Sequence, residues 1–212
     1  MKLLLTICFV LIALLAWPRT IPVGAGESVK TLAAGIKAAT TRDTVLLRKG
    51  HYKEGRLTVT KSIFLIGEPG AVLDGENKYE ILTISGEGIV VSGIRFQNSG
   101  YSSMNDFASI KVVDASFVLI ENNIIDKAYF AIHIANSTYC VVQNNTISGL
   151  TKTEQTSGNG IHLWKCENML VRGNHVQGHR DGIYFEFVTH STIENNTSFN
   201  NIRYGLHFMF SN

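Results

Sequence analysis

Short apolar segments recur along the chain and are separated by polar turns that contain asparagine or glycine. In the second half, each unit contains an aliphatic strand, an asparagine turn, a second short strand and a third strand that usually begins with glycine. The asparagines at equivalent turn positions are Asn123, Asn145, Asn174 and Asn196, which gives spacings of 22, 29 and 22 residues. The spacing of 29 is one period of 22 plus a seven-residue insertion. A fixed period of this length is typical of solenoid proteins.

The third strands repeat most clearly and predict how the coils stack. They occupy residues 131–134, 160–163, 182–185 and 205–208. Three short strands in each coil of about 22 residues predict an all-β fold, a right-handed parallel β-helix, in which each strand pairs with its equivalent one coil later. Because side chains alternate along a strand, two apolar columns are expected to point inward. The columns are Ile132, Ile161, Ile183 and Leu206, and Ile134, Leu163, Phe185 and Phe208.

The turn asparagines are predicted to build the fold rather than to catalyse a reaction. Asn123, Asn145, Asn174 and Asn196 can stack their side-chain amides and hydrogen-bond up and down the column. Asparagine also tolerates the left-handed backbone that such turns need. We therefore interpret the four residues as a structural ladder.

The N terminus predicts export. Residues 1–16 are interpreted as a signal peptide, because Lys2 precedes an apolar stretch that is too short to span a bilayer comfortably. Cleavage after Ala16 is favoured, while a cleavage site at residues 23–25 and an uncleaved membrane anchor stay open as alternatives. The mature protein is expected to be periplasmic.

Residues 17–60 are predicted to form an N-terminal strand, a short capping helix and the first rungs. Leu32, Ala33, Ile36 and Ala39 have helical spacing behind a candidate N-cap at Glu27 or Ser28. A cap is needed because an open coil end exposes unpaired strand edges. Early strands are predicted at residues 20–23, 43–47, 57–59, 63–66 and 71–73, with Gly50 at a turn.

Residues 61–212 are predicted to contain the β-helix repeats, interrupted by polar insertions at 98–106 and 151–158. No capping segment follows the apolar residues 206–210. We expect the chain to be a fragment truncated at its C terminus, with coverage of the last coil by another molecule as the alternative.

Composition excludes one class of partner. The chain is 45% hydrophobic and 17% charged, with a formal net charge of +2 and no block of Lys and Arg. We therefore expect no nucleic-acid partner. After export, Cys140 and Cys166 remain, and a disulfide between them is an open alternative. The register disfavours it, because Cys140 stacks on Met169 and Cys166 lies three residues earlier.

The sequence does not favour an enzyme. Acid–base cleavage of a sugar needs clustered carboxylates or a base beside a cation. Only His179, Arg180 and Asp181 bring such groups together, and a turn leading into a strand is their simpler interpretation. The paired aspartates of pectin hydrolases and the Asp-Pro-His motif of alginate epimerases are absent from the sequence. We predict a protein without catalytic residues.

The outward face of the third strands offers different chemistry. His133, His162, Tyr184 and His207 occupy one alignment position, so their rings are expected to stack at the rung spacing of about 4.8 Å. Met209 follows His207 by two residues and places a thioether beside an imidazole, a pair that Cu(I) prefers. His162 and Cys166 form a second soft pair in the sequence. The alternative is an aromatic stack that only covers the sheet.

Three segments resemble the NosD family of accessory proteins for copper maturation of nitrous oxide reductase. The most specific is RYGLHFMFSN at residues 203–212, supported by GNGIHLW at 158–164 and AVLDG at 71–75. The resemblance extends from about Ile21 to the end. It implies a periplasmic, non-enzymatic component that sits on an ABC transporter permease with its ATPase. Such a protein accepts copper from a copper chaperone and helps to load nitrous oxide reductase.

The resemblance also assigns a tentative cofactor, copper as Cu(I), and its candidate ligands. By position, His207 and Met209 are the first candidates, followed by His162 and His133. The competing function is a carbohydrate-binding or carbohydrate-active β-helix, and a purely structural solenoid is the third.

Overall fold

The structure, a computed structural model, describes residues 17–102, 104–150 and 153–212. These residues form three parallel sheets, one of eight strands and two of seven. The first sheet contains β1 (Thr20–Val23), β2 (Thr44–Leu47), β5 (Phe64–Gly67), β8 (Val90–Ser92), β11 (Leu119–Glu121), β14 (Val141–Gln143), β17 (Leu170–Arg172) and β20 (Thr192–Glu194). The second contains β3 (Gly50–Tyr52), β6 (Ala71–Asp74), β9 (Arg95–Gln97), β12 (Ile124–Ala128), β15 (Thr146–Gly149), β18 (His175–Gln177) and β21 (Thr197–Phe199). The third contains β4 (Leu57–Val59), β7 (Leu82–Ile84), β10 (Ala108–Val113), β13 (Phe130–Ala135), β16 (Ile161–Trp164), β19 (Asp181–Glu186) and β22 (Tyr204–Met209).

Each strand pairs in parallel with its equivalent in the adjacent coil, so the predicted all-β parallel β-helix is confirmed. In the third sheet, Ile132 lies opposite Ile161, Ile161 opposite Ile183, and Ile183 opposite Leu206. β3 and β4 lie before the predicted boundary between residues 60 and 61, and they pair with β6 and β7, which lie after it. The N-terminal rungs and the later repeats therefore form one continuous stack.

Two short strands of the second sheet were missed by sequence analysis. Gly50, predicted to lie at a turn, begins β3 and pairs with Ala71, so that prediction is wrong. β9 was also not foreseen. Three residues are too few for alternation to distinguish a strand from a turn.

The turn asparagines form a continuous buried column. The backbone N–H and Nδ2 of Asn123 both donate to Oδ1 of Asn145, at 3.0 and 3.1 Å. Asn145 makes the same pair of bonds to Asn174, and Asn174 to Asn196. Each Nδ2 also reaches a backbone carbonyl, as Asn145 does to Ile120 at 3.0 Å. The column therefore satisfies polar groups that would otherwise be buried without partners.

The left-handed backbone does not fall on these asparagines, and that part of the prediction is wrong. Positive φ occurs one residue earlier, at Asn122, Asn144, Gly173 and Asn195. The first residue of each pair turns the chain, which directs the side chain of the second into the column. One residue of each pair thus adopts the left-handed backbone, and its neighbour supplies the amide that hydrogen-bonds in the column.

The only α-helix among the described residues is α1 (Leu32–Ala38), which packs on β1 and β2 and buries Leu32 and Ile36, and a single 3-10 turn spans Glu154–Thr156. Its N-cap is Thr31, whose hydroxyl accepts from the backbone N–H of Ala34 at 3.2 Å, so the predicted cap at Glu27 or Ser28 is wrong. Glu27 instead pairs with Arg48 at 2.7 Å. No helix among these residues combines the length and apolarity needed to cross a membrane. The predicted signal peptide lies outside the described residues.

Both cysteines of the described chain are free and buried. The Cys140 thiol contacts the carbonyl of Thr138 at 3.3 Å, and the Cys166 thiol contacts that of Ile134 at 3.5 Å. Burial raises the pKa of Cys166 to about 11, so this thiol is protonated at neutral pH.

Candidate functional site

A ladder of four rings covers the outward face of the third sheet. The His133 and His162 rings are 4.8 Å apart between centroids and nearly parallel, with an interplanar angle of 8°. The His162–Tyr184 and Tyr184–His207 distances are 4.8 and 4.6 Å. Regular strand pairing produces this stack, because the four residues are in register in adjacent coils. We call these residues the ring ladder.

One end of the ring ladder is closed, which sequence analysis did not foresee. His133 and His162 are only 7% and 8% exposed although they point away from the coil interior. The Phe130 ring stacks on both, with centroid distances of 5.5 and 5.8 Å. Gly158 packs so closely against this ring that a Cβ would lie 2.7 Å from its Cδ2. Phe130 stands one residue before Ala131, which takes the glycine position of this coil, and this aromatic residue was the available sequence signal.

Burial keeps the closed imidazoles neutral. It lowers the pKa of His162 to about 3, helped by the neighbouring His133 and Arg180 charges. It also lowers the pKa of His133. Within the described structure, neither ring nitrogen of His162 has a hydrogen-bond partner. A neutral imidazole has a free lone pair, but Phe130 separates these two from solvent.

The last rung of the ring ladder lies in β22. The His207 side chain is 23% exposed and Met209 is 36% exposed. Between them, the Tyr184 hydroxyl donates to the Met209 sulfur at 3.0 Å. Burial raises the pKa of Tyr184, so the phenol stays a donor at neutral pH. An imidazole, a thioether and a phenol thus meet at one accessible edge.

A buried carboxylate lies behind His207. Asp181 is fully buried, and its Oδ2 lies 3.6 Å from Nδ1 of His207 and 3.6 Å from Nε of Arg180. Its Oδ1 lies 3.6 Å from Nε of Arg203. His179, Arg180 and Asp181, weighed above as an acid–base group, therefore do not share one site. Asp181 faces His207, whereas His179 lines a separate cleft.

The predicted ligands do not form one centre. Among residues 17–102, 104–150 and 153–212, no three His, Cys, Asp or Glu side chains converge on a common metal position. The prediction that His162 and Cys166 form a soft pair is wrong, because the Cys166 thiol points into the core toward the Ile134 carbonyl. His207 and Met209 remain together on the outward face of β22. Two soft donors fit a low-coordinate cation such as Cu(I).

The sequence comparisons agree with this architecture. Residues 69–212 match the family model described as the right handed beta helix region, and the chain belongs to that family. Within this class the chain is similar to curated relatives named NosD, which confirms the predicted resemblance. A Pseudomonas aeruginosa relative named probable ABC transporter binding protein NosD is 36% identical over 138 residues, 64% of this chain and 32% of the relative. A Stutzerimonas stutzeri relative of the same name is 32% identical over 138 residues, 64% of this chain and 31% of the relative.

The matched segment thus spans about a third of each curated relative. Solved structures with similar folds include the catalytic domain of a GH87 α-1,3-glucanase, with a TM-score of 0.61 and 12% identity, covering 91% of this chain and 39% of the other. A pectin methylesterase in complex with a hexasaccharide has a TM-score of 0.53 and 14% identity, covering 83% and 65%. At these identities the likeness concerns the fold alone.

Proposed function

We propose that this protein is a non-enzymatic accessory protein of the nitrous oxide reductase system, exported to the periplasm, that handles Cu(I) as cargo. The single observation that carries the proposal is the pairing of His207 and Met209, which lie on adjacent outward positions of β22. Imidazole and thioether donors are the set that Cu(I) selects over harder cations. Similarity to two curated relatives named NosD supports the same function.

The geometry suits transient binding of the ion. A low-coordinate site on a stiff sheet leaves a position open for a ligand of the donor or acceptor protein, so copper can be passed on without unfolding either partner. His133 and His162 lie deeper in the ring ladder and become available only if Phe130 moves. We therefore assign them a secondary role, after His207 and Met209.

The partners follow from this function. A copper chaperone would supply the ion, and nitrous oxide reductase would receive it. The relatives' printed name, ABC transporter binding protein, supports association with an ABC transporter permease and its ATPase.

An anaerobic Cu(I) titration against a competing chelator tests the proposal. We expect one Cu(I) per chain, with His207→Ala and Met209→Ala each weakening binding by at least about tenfold, since each removes one of two donors. Matched controls are His175→Ala, on the outward face of β18, and Met104→Ala, which is 90% exposed in an insertion. Both controls should bind like the parent chain.

Two outcomes would contradict this assignment. Equal losses in the controls would indicate nonspecific surface binding. Absence of binding by a folded, monodisperse chain would mean that the ring ladder only covers the sheet, as in a purely structural solenoid. Circular dichroism spectra of each variant separate loss of a ligand from loss of fold.

A further inference from the structure

A buried carboxylate without a direct hydrogen bond lies against the copper candidate His207. Asp181 is fully buried, and neither of its carboxyl oxygens forms a hydrogen bond with any described residue. Nε of Arg180, Nε of Arg203 and Nδ1 of His207 each lie 3.6 Å from one of these oxygens. A buried charge is costly unless it is both paired and hydrogen-bonded. A neighbouring N–H that can move closer is therefore favoured to donate to Asp181.

His207 supplies a suitable donor. Its Nδ1 is buried, faces Oδ2 of Asp181 and also lacks a hydrogen bond within the described part of the chain. Moving the two atoms about 0.7 Å closer gives the usual N–H···O distance of about 2.9 Å. A neutral imidazole carries its proton on one nitrogen and a lone pair on the other. With the proton on Nδ1, the lone pair is on Nε2, which can then bind a cation.

The two arginines fix the place of the carboxylate. Arg180 contacts Oδ2 of Asp181, and Arg203 contacts Oδ1. Arg203 is itself held by Glu154 of the second insertion, at 3.3 Å, and its guanidinium lies 5.3 Å from the centre of the Tyr204 ring. Asp181 thus has a defined position that does not depend on His207, so the carboxylate can orient the imidazole.

The strand position of Asp181 also distinguishes the two parts of the ring ladder. Strand register places Asp181 two coils after Phe130, at the same position of the third strand. From this position Phe130 stacks on the His162 ring of the next coil, and Asp181 reaches His207 of the next coil in the same way. His162 therefore meets an apolar cover, whereas His207 meets a hydrogen-bond acceptor.

We propose that Asp181 is a positioning residue for His207. It accepts the Nδ1 proton, fixes the tautomer of the neutral ring and leaves the Nε2 lone pair for Cu(I). Carboxylates that accept the second N–H of a metal-binding histidine commonly set its tautomer and orientation. The copper step of this inference rests on the proposed function, whereas the tautomer is a property of the metal-free chain. The two can therefore be tested separately.

Heteronuclear NMR of the imidazole nitrogens in metal-free protein tests the tautomer, at about pH 8, where an ordinary imidazole is neutral. We expect the His207 proton on Nδ1 in the parent chain. In Asp181→Asn the proton should move at least partly to Nε2, because the new amide can turn its own N–H toward the ring. Asp43→Asn is the matched control, since Asp43 is also buried and paired with an arginine, in the first coils. It should leave the His207 signals unchanged.

Cu(I) competition against a chelator tests the consequence for binding. Asp181→Asn should weaken binding by about tenfold, the loss expected when the partner of a metal-binding histidine is removed. Asp43→Asn should bind like the parent chain. Adding Asp181→Asn to His207→Ala should cause no further loss, because Asp181 acts only through His207.

Two results would overturn the proposal. A proton on Nε2 of His207 in the parent chain, alone or together with one on Nδ1, would mean that Asp181 does not free this nitrogen. This spectrum decides the question even if Asp181→Asn does not fold. An unchanged tautomer in folded Asp181→Asn would reduce Asp181 to a structural role. If the parent chain shows the Nδ1 proton but binds no Cu(I), the proposed function fails and the control of the tautomer by Asp181 stands.

Discussion

Replacing Asn145 with alanine is expected to lower the free energy of unfolding by about 3 kcal/mol, because the change strands several buried polar groups. Oδ1 of Asn145 accepts both the backbone N–H and Nδ2 of Asn123, and its Nδ2 donates to the Ile120 carbonyl. Asn145 is fully buried, so water cannot replace these bonds. Urea unfolding followed by circular dichroism measures the loss.

The matched control is Asn196→Ala, the same substitution at the last of the four column residues. Asn196 donates to the Val171 carbonyl and accepts from Asn174, but it is only half-buried. Asn196→Ala should therefore cost clearly less than Asn145→Ala. Equal costs at the two positions, or a cost below about 1 kcal/mol for Asn145→Ala, would show that the column contributes little to stability.

Acidification from pH 7 to pH 4 is expected to destabilise the protein by about 3 kcal/mol through His179 alone. Burial lowers the pKa of His179 from 6.5 to about 4, against the effect of the Gly158 and Tyr129 carbonyls. Below pH 6.5 the unfolded chain binds a proton that the folded chain resists. The stability contribution is therefore complete above pH 6.5 and is lost as the pH falls toward 4. His162, whose pKa is lowered to about 3, changes stability in the same direction.

The measurement is a series of urea unfolding curves between pH 7 and pH 4. His179→Asn should reduce the pH dependence by the His179 share and leave the part due to the other buried histidines. His175→Asn, an exposed position on β18, should leave the dependence unchanged. A pH dependence that is identical in the parent chain and in His179→Asn would contradict the assignment.

Regular coils and irregular insertions contribute differently to function in this molecule. The coils supply a rigid sheet that carries the ring ladder, with His207 and Met209 on β22. Phe130, packed against Gly158 of the second insertion, covers His133 and His162, and the two insertions frame the cleft over Lys127 and Tyr129.

The sequence by itself determined the repeating part of the protein. The period of 22 residues and the alternation along the third strands identified the coil, the inward columns and the outward alignment of His133, His162, Tyr184 and His207. Strand pairing between identical positions of successive coils makes register a consequence of the repeat. For the same reason, the alignment of the turn asparagines could be read from spacing alone.

Only the tertiary structure decided which of these residues solvent can reach. The cover of Phe130 over His133 and His162, the contact of Asp181 with His207 and the cleft between the insertions involve segments without periodicity. Their paths depend on side-chain packing between distant residues, such as Gly158 against Phe130, and not on local propensity. The helix cap also involved a distant residue. Glu27 forms an ion pair with Arg48, and Thr31 caps α1 instead. Periodicity therefore placed the ring ladder, and long-range packing covered His133 and His162.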